Sequence, residues 1–374
     1  MSLLKPLQVL SLVGVLAGCS SNVFAQQYIF TNDNVANTGN STTVLTVSAA
    51  GALKVIKTYP TGGKSAGSGY FALSSVTSAK TRLGTCLFVS NGGDSTIAAF
   101  QMDLFHGTLT AVHGSPFADG ATGAQEFGVG LAAGGHLLFA GNTKNSSISI
   151  LRINPSCSLT LLKMSTVAGT PAGMKVTPNG EFLITAYNGD VDSFKVDTTT
   201  GDLTELGPFK PQGSAAGVEI SCDGTTAYFG DAAANTQVEV FSISSSGELK
   251  ELSNFTNKNG DSSNNVMLSV DGTHLYVSNT MSNQITTLSV GSNGALTYDN
   301  TTKLNKPGLY ALGLATGTSG LDIFVSEESN PESIGVLAVN GNTLKEVPGS
   351  PFHVIKNGSD PAGIAAVPKT CVLQ

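Results

Sequence analysis

The chain has 374 residues but no tryptophan, and only 12% of its residues are charged. It is instead rich in glycine, with 44 residues, and Ser, Thr and Asn fill the intervals between short apolar runs. This composition is typical of an all-β protein with many turns, and it excludes a predominantly helical one.

Positive charge is also scarce. The 19 Lys and Arg residues are outnumbered by 26 Asp and Glu residues, which gives a formal net charge of −7. Domains that bind nucleic acid present clustered basic residues on one face, and no such cluster occurs in this sequence. We therefore expect no nucleic-acid partner.

The apolar stretch near the N terminus is too short to cross a bilayer. It runs from Leu7 to Ala17, behind a single positive charge at Lys5. This pattern is typical of a signal peptide. We assign residues 1–25 to that peptide and residues 26–374 to one mature domain.

Two cleavage sites fit this leader. The segment Leu16-Ala17-Gly18-Cys19 resembles the lipobox of bacterial lipoproteins, in which the cysteine is acylated. The segment Val23-Phe24-Ala25 instead fits ordinary secretory cleavage after Ala25. We expect the protein in the cell envelope, held to a membrane only through lipid on Cys19, or else secreted.

The remaining cysteines are too widely spaced for a zinc site. They are Cys86, Cys157, Cys222 and Cys371. None belongs to a C-x2-C pattern, so we expect no metal, and no cofactor-binding motif is present. Export permits disulfides, although buried free thiols fit the spacing equally well.

The strongest pattern is an internal repeat. One unit reads Leu87-Phe88-Val89-Ser90-Asn91, and it returns as Leu138–Asn142 and Leu275–Asn279. Four weaker copies end at Asn32, Tyr187, Asp231 and Glu327. The copies recur about every 49 residues, so seven units fill nearly all of the mature chain.

Each unit carries the signals of a four-stranded antiparallel meander. A short apolar strand leads to a tight turn, as at Asn179-Gly180 and Asp271-Gly272, which is a strong hairpin signal. The repeated strand follows, and then two strands joined by a glycine turn, as in Gln284–Thr297. Four strands in about 49 residues predict a seven-bladed β-propeller, because a β-helix has a shorter period and an α-solenoid has helical periodicity.

The two ends of the repeat series are complementary. The chain begins with the second strand of a unit, at Tyr28, and ends with an unpaired first strand at Gly363–Pro368. The last strand is therefore predicted to complete the first blade and close the ring, which removes two exposed edges.

Cys86 and Cys371 would then lie in adjacent blades on one face, and they are the expected pair if a disulfide forms. We expect a monomer.

These repeats, with Gly114-Ser115-Pro116-Phe117 and Gly349-Ser350-Pro351-Phe352, resemble the seven-bladed lactonase family. That family includes propellers of the 6-phosphogluconolactonase and muconate-cyclase types. The resemblance covers about residues 27–371 and implies the same closed ring. It implies an activity less directly, because related repeats also occur in non-enzymatic surface propellers.

The enzymes of this family resemble one another in a Pro-Arg-His stretch on an inner strand and an Asn-Glu pair ending the next strand. Blade 4 has Pro171-Ala172-Gly173 and Tyr187-Asn188 at these places, and blade 5 has Ala215-Ala216-Gly217 and Asp231-Ala232. Blade 7 supplies acid at Glu327-Glu328 without Arg or His on its inner strand. None of these blades has both halves of the motif.

Successive turns of a blade alternate between the two faces of the ring. With strands A to D counted outward from the axis, the A–B and C–D turns share one face, called here the turn face. The B–C loops and D–A connections share the other, the loop face, which carries the longer polar segments 33–42, 60–68, 254–265 and 352–360. Long loops on a rigid scaffold favour binding. We expect a small molecule, a glycan or an envelope protein as the partner on this face.

Polar residues close equivalent B strands at the loop face and form a candidate ligand-binding ring: Asn32, Asn91, Asn142, Asp231, Asn279 and Glu327. Lys306 and Lys356, in the connections to blades 7 and 1, extend this set. The alternative is that such side chains cap strand ends and bond loop amides.

Asp33 and Glu328 adjoin this ring in neighbouring blades and form the candidate catalytic pair. Two carboxylates in proximity raise the pKa of one of them, which supplies an acid and a base. If the protein is an enzyme, we expect a lactonase-type hydrolase of the 6-phosphogluconolactonase kind. The missing Arg-His pair favours the other hypothesis, a binding or scaffold propeller of the cell envelope that lacks the full catalytic motif.

Overall fold

The computed structural model describes eleven stretches of the chain: residues 26–35, 39–66, 74–125, 129–187, 190–211, 213–232, 238–256, 261–305, 310–328, 333–354 and 363–368. Apart from one 3-10 turn at Ser292–Gly294, their regular structure is β-strand. No helix among these residues is long and apolar enough to span a membrane.

The strands form seven consecutive antiparallel sheets, the blades of the predicted propeller. In chain order they are β1 (Tyr28–Asn32), β2 (Gly39–Val47), β3 (Leu53–Lys64), β4 (Val76–Thr81), β5 (Gly84–Asn91), β6 (Thr96–Asp103), β7 (Thr108–Ala111), β8 (Phe117–Ala118), β9 (Val129–Gly134), β10 (Leu137–Asn142), β11 (Ser147–Ile153), β12 (Leu159–Thr166), β13 (Pro171–Val176), β14 (Phe182–Tyr187), β15 (Val191–Val196), β16 (Leu203–Glu205), β17 (Ala215–Ile220), β18 (Thr226–Asp231), β19 (Val238–Ile243), β20 (Leu249–Phe255), β21 (Ser263–Leu268), β22 (His274–Asn279), β23 (Gln284–Val290), β24 (Leu296–Lys303), β25 (Tyr310–Thr316), β26 (Asp322–Glu328), β27 (Ser333–Asn340), β28 (Thr343–Glu346) and β29 (Gly363–Val367).

Ring closure by the C-terminal strand is confirmed. Blade 1 has the order β29-β1-β2-β3, so its inner strand comes from the end of the chain. β29 pairs with β1 in antiparallel register from Tyr28–Val367 to Asn32–Gly363. The other blades each use four consecutive strands, and in blade 2 the short strand β8 also pairs with β6.

The core lies between neighbouring blades. The B strands carry continuous apolar runs, and side chains such as Phe88, Phe139 and Phe324 are completely buried. Both faces of these strands are covered because each blade packs against the next one. This explains why the B strands read as apolar runs while the outer D strands alternate with polar residues.

Blade 1 has longer strands than the sequence indicates. The segments 33–42 and 60–68 were expected to be loops, but β2 begins at Gly39 and β3 continues to Lys64, with Gly39 opposite Lys64. Pro60 is tolerated there because β3 is an edge strand, where no partner needs its missing N–H.

The blades overlap in one rotational sense on the turn face. In blades 2 to 7 each C–D turn contacts the turn-face end of the A–B strand pair in the preceding blade. The contacts are Phe105 on Tyr28, Pro155 on Thr81, Thr198 on His136, Gly247 on Phe182, Gly294 on Tyr228 and Asn342 on His274.

The disulfide prediction is corrected by this overlap. Cys86 pairs with Cys157, with a Cα–Cα distance of 5.5 Å, and not with Cys371, which lies outside the described residues. Cys157 is in the C–D turn of blade 3 and Cys86 is the third residue of the B strand of blade 2, so the overlapping turn brings the two thiols together. Both lie on the turn face as expected, and Cys222 is disulfide-bonded as well.

The closure strand should be essential for the ring. Truncation after Asp360 removes β29 and exposes the edge of β1 together with the inner face of blade 7. We expect this chain to be insoluble or to melt far below the parent in a thermal unfolding experiment. Truncation after Pro368 is the matched control, since it keeps β29. Equal melting temperatures for the two truncated chains would contradict the closure.

The Cys86–Cys157 disulfide closes a loop of 71 residues in sequence. In the chain-entropy model, a loop of that length contributes about 4 kcal/mol to the free energy of unfolding. The double variant Cys86→Ser, Cys157→Ser should lose stability on that scale in urea unfolding. Peptide mapping without reduction should recover the two peptides joined, and a Cys86–Cys371 peptide would show that the pairing is wrong.

Candidate functional site

A narrow channel runs along the propeller axis. It has a volume of about 190 Å3 and is lined by inner strands of all seven blades, mostly with Val, Ala, Leu and Met side chains. Lys175 is the one charged residue among the described residues of its lining. Its Nζ lies 2.8 Å from a carboxylate oxygen of Glu219 in the next blade, near the turn face. The ion pair therefore lies towards the turn-face end of this channel.

All six residues of the predicted polar ring are buried at the loop-face ends of their B strands. In blades 1 and 2 they form an amide network. Asn40 donates to Oδ1 of Asn32 at 2.8 Å and to Oδ1 of Asn91 at 3.0 Å. Asn32 donates to the Ser90 carbonyl, and Asn91 to the Thr96 hydroxyl. These contacts join the two blades.

Blades 3 and 6 share a second arrangement. Nδ2 of Asn142 donates to the Ser149 hydroxyl, and Nδ2 of Asn279 donates to the Thr286 hydroxyl, both at 2.8 Å. Oδ1 of Asn279 also accepts from Ser263 on the inner strand. The amides thus bridge B and C strands, which is the strand-end role that the sequence left open as an alternative.

The carboxylates of blades 5 and 7 occupy spaces left by glycines. Oδ1 of Asp231 accepts the Ser214 N–H at 2.7 Å, and a Cβ on Gly213 would lie 1.7 Å from its other oxygen. A Cβ on Gly335 would lie 2.3 Å from Oε1 of Glu327. Both carboxylates are buried, so two glycines make room for acids at equivalent positions on either side of blade 6.

Asn264, in blade 6 between these acids, was not singled out from the sequence. It forms a β-bulge, because Ser263 pairs with Asn279 and Asn265 with Ser278. Its side chain is completely buried, and neither amide atom has a hydrogen-bond partner among the residues that the structure describes. An unbonded buried amide costs about 1–3 kcal/mol, so a ligand or water that bonds it would be favoured.

The bulge recurs in the inner strands of blades 4 to 7. This register aligns Ser263-Asn264-Asn265 with the inner-strand segments that the family resemblance matches to Pro-Arg-His. The aligned bulge residues in the other blades are Ala172, Ala216 and Leu312. Alignment of blade 6 with that motif would have found Asn264 from sequence.

Of the predicted catalytic pair, Asp33 and Glu328, the structure describes only the side chain of Asp33. Asp33 is buried, and its carboxylate accepts hydrogen bonds from the hydroxyls of Thr31, Ser41 and Thr43 within blade 1. Burial raises its pKa, and these hydroxyl bonds oppose the rise. The side chain of Glu328 lies outside the described residues, as do Lys306, Lys356 and Cys19, so the pairing stays a prediction.

Blade 4 carries a buried acid that sequence reasoning missed. Asp192 on the C strand is completely buried beside Tyr187, the blade 4 counterpart of the polar ring. Burial raises the pKa of Asp192 to about 7, with further contributions from the charges of Glu205 and Asp190. The Tyr187 hydroxyl lowers that pKa in part.

No group of three His, Cys, Asp or Glu side chains within the described stretches is arranged to hold a metal ion. The buried acids of the described loop face are spread over several blades, as Asp33 in blade 1, Asp119 in blade 2, Asp192 in blade 4, Asp231 and Glu239 in blade 5, and Glu327 in blade 7. Among the described residues, the arrangement offers carboxylates and one unbonded amide around blade 6.

The family model of the seven-bladed β-propeller lactonases matches residues 81–220 and 219–308. A candidate 6-phosphogluconolactonase of Bacteroides fragilis superposes with a TM-score of 0.73 at 17% identity, over 93% of this chain and 99% of that one. The periplasmic gluconolactonase of Pseudomonas aeruginosa superposes with a TM-score of 0.59 at 19% identity, over 70% of this chain and 81% of that one. No curated protein matches the chain.

The ring of seven four-stranded blades defines a β-propeller. The family match spans more than half of the sequence, and the chain belongs to the seven-bladed β-propeller lactonase family. At the identities of the solved structures, the superpositions show the shared fold.

The raised pKa of Asp192 should make stability depend on pH. The unfolded carboxyl ionises near pH 4, whereas the folded one ionises near pH 7, so the free energy of unfolding falls as pH rises through this window. The loss is about 4 kcal/mol at most. Asp192→Asn should therefore melt above the parent at pH 8, with a smaller difference at pH 5.

Glu205→Gln is a graded control, because it removes one neighbouring charge and leaves the buried acid. It should lower the pKa of Asp192 only in part, so that stability still falls with rising pH but over a narrower pH range than in the parent. If the difference in melting temperature between the parent and Asp192→Asn stays constant from pH 5 to pH 8, the buried carboxyl is not neutral in this range.

Proposed function

We propose that the loop face around blades 5 to 7 binds a small polyhydroxylated ring compound of the sugar-lactone type and opens its ring ester. Membership of the lactonase family supports this substrate class. The observation that carries the proposal is Asn264, whose buried amide has no hydrogen-bond partner within the described stretches of the chain. Such an amide is suited to bonding a carbonyl oxygen.

The two flanking carboxylates supply the acid–base chemistry of this proposal. A water molecule adds to the ring carbonyl carbon, and Asp231 or Glu327 takes its proton. The amide of Asn264 stabilises the negative charge that develops on the carbonyl oxygen. The ring C–O bond then breaks, the ring oxygen takes up the proton, and the product is a hydroxy acid.

A second candidate is ligand binding without turnover, in a cell-envelope propeller. It is favoured by the inner-strand bulges, because Ala172, Ala216 and Leu312 stand where the family resemblance leads one to expect Arg and His. A small molecule, a glycan or an envelope protein would then be the partner. Export, with lipid on Cys19 or cleavage after Ala25, is part of both candidates.

Hydrolysis of a panel of sugar lactones, including gluconolactone and its 6-phosphate, tests the proposal. We expect turnover by the parent and a loss of about 100-fold or more in kcat/KM for Glu327→Gln or Asp231→Asn. Asn264→Ala should lose about 100-fold in kcat through weaker charge stabilisation. Glu248→Gln changes an exposed acid on the turn face and should leave the rate unchanged.

Titration calorimetry with the same lactones separates the two candidates. Binding heat without turnover by the parent would support the binding propeller and defeat the hydrolase. Turnover that survives in both carboxylate variants would show that Asp231 and Glu327 do not carry the reaction.

A further inference from the structure

The first described residues enter the ring on the turn face, between blades 7 and 2. Oε1 of Gln27 accepts the backbone N–H of Thr318, in the A–B turn of blade 7, at 3.0 Å. The hydroxyl of Tyr28 donates to the carbonyl of Phe105, in the C–D turn of blade 2, at 3.0 Å. The N-terminal segment therefore joins the fold beside these two turns.

Large apolar side chains stand exposed around this point. Phe105 is 84% exposed, and Leu83 and Leu321 are each 64% exposed. Leu83 is at the tip of the A–B turn of blade 2, and Leu321 is in that of blade 7. Ile56 on the edge of blade 1 is also exposed and lies near Gly107, in the same turn as Phe105.

Equivalent turns elsewhere in the ring show that their geometry does not require apolar residues. In blade 2, Asp103 accepts the N–H of Phe105, and in blade 4, Asp197 accepts the N–H of Thr199 in the same way. Phe105 thus occupies the position of a threonine.

Leu321 occupies another polar position. In blades 5 and 6 its counterparts are Thr225 and Thr273, whose N–H groups are accepted by the turn aspartates. In blade 4 the counterpart is Glu181. The apolar residues at blades 2 and 7 therefore come from sequence rather than from the needs of the turn.

Charge divides the turn face in the same way. The A–B turns of blades 4, 5 and 6 expose Glu181, Asp223 and Asp271. The A–B turn of blade 2 instead exposes Lys80 and Arg82 beside Leu83. The one acid of the neighbouring C–D turn, Asp103, is bonded to His106. The A–B turn of blade 2 is thus basic where those of blades 4 to 6 are acidic, and in blade 7 the acid beside Leu321, Asp322, is half-buried.

We propose that the turn face at blades 7, 1 and 2 rests on a lipid bilayer with anionic head groups, with Leu83, Phe105 and Leu321 inserted among the lipids. Apolar tips flanked by basic residues are typical of interfacial membrane contact. For its tether the proposal rests on lipid at Cys19. Six residues lie between Cys19 and Gln26, and the seven steps from one to the other reach about 25 Å at full extension. Such a tether holds the turn face near the membrane and leaves the loop face open to the solvent.

Because the chain contains no tryptophan, the fluorescence of an introduced tryptophan reports on one position alone. Phe105→Trp, Leu83→Trp and Leu321→Trp each introduce a single tryptophan at the proposed contact. Met281→Trp is the matched control, since Met281 is 59% exposed but lies in a B–C loop on the loop face. The full chain is processed in a bacterial host and reconstituted with phosphatidylethanolamine–phosphatidylglycerol vesicles. Mass spectrometry of the mature N terminus is measured on the same samples.

We expect a blue-shifted emission and quenching by brominated acyl chains at positions 83, 105 and 321, but not at 281. The variant Phe105→Thr, Leu321→Thr copies residues of equivalent turns and should keep the parent melting temperature. Combined with Leu83→Trp, it should reduce quenching at position 83 by about tenfold.

Three outcomes would overturn the membrane contact. An acylated N terminus without quenching at the three positions would leave a tether but no docked face. Quenching at position 281 as strong as at the other sites would mean that the ring has no preferred orientation. An unmodified N terminus at Gln26 without quenching would remove the tether and the contact together. None of these results alters the lactone assay, which is made in solution.

Discussion

The pairing of β29 with β1 is the contact on which the rest of the ring depends. Five residue pairs join segments more than 300 residues apart in sequence, and without them blade 1 would have no inner strand to pack against blade 7. Blade cores lie between neighbours, so an open ring would expose apolar surface on both sides of the gap. The polar network of Asn32, Asn40 and Asn91 beside this seam also requires blade 1 to be complete.

The propeller could be predicted from sequence because its signals are local. Repeated B strands, Asn-Gly and Asp-Gly turns and the orphan strand at Gly363 each follow from short-range rules, and together they define the blade order. The disulfide could not be predicted in the same way. Strand register placed Cys86 and Cys157 on one face, but the overlap of C–D turns on the preceding blade arises from packing between blades, which no local pattern records.

In the candidate site, too, the features set by local strand patterns were predictable, whereas those set by packing were not. The positions of the polar ring were predictable, since each residue ends a B strand, and the structure finds them buried there. Their partners were not. Glu327 depends on the missing side chain of Gly335, the third residue of the next strand, and Asn264 is placed by a bulge that breaks the alternation of side chains. Asp192 escaped notice because a buried carboxyl on a C strand has no sequence signature beyond its letter.

The one-way overlap of the turns gives the ring a direction. From blade 2 to blade 7, each C–D turn packs on the A–B strands of the preceding blade. The two neighbours of a blade are therefore not equivalent. Loosening of one blade uncovers the hairpin behind it while leaving its own hairpin covered by the blade ahead. Local opening would therefore spread towards the N-terminal blades more readily than towards the C-terminal ones. The Cys86–Cys157 disulfide, which joins blades 2 and 3, would oppose that spread two blades before it reaches the contact of blade 1 with blade 7.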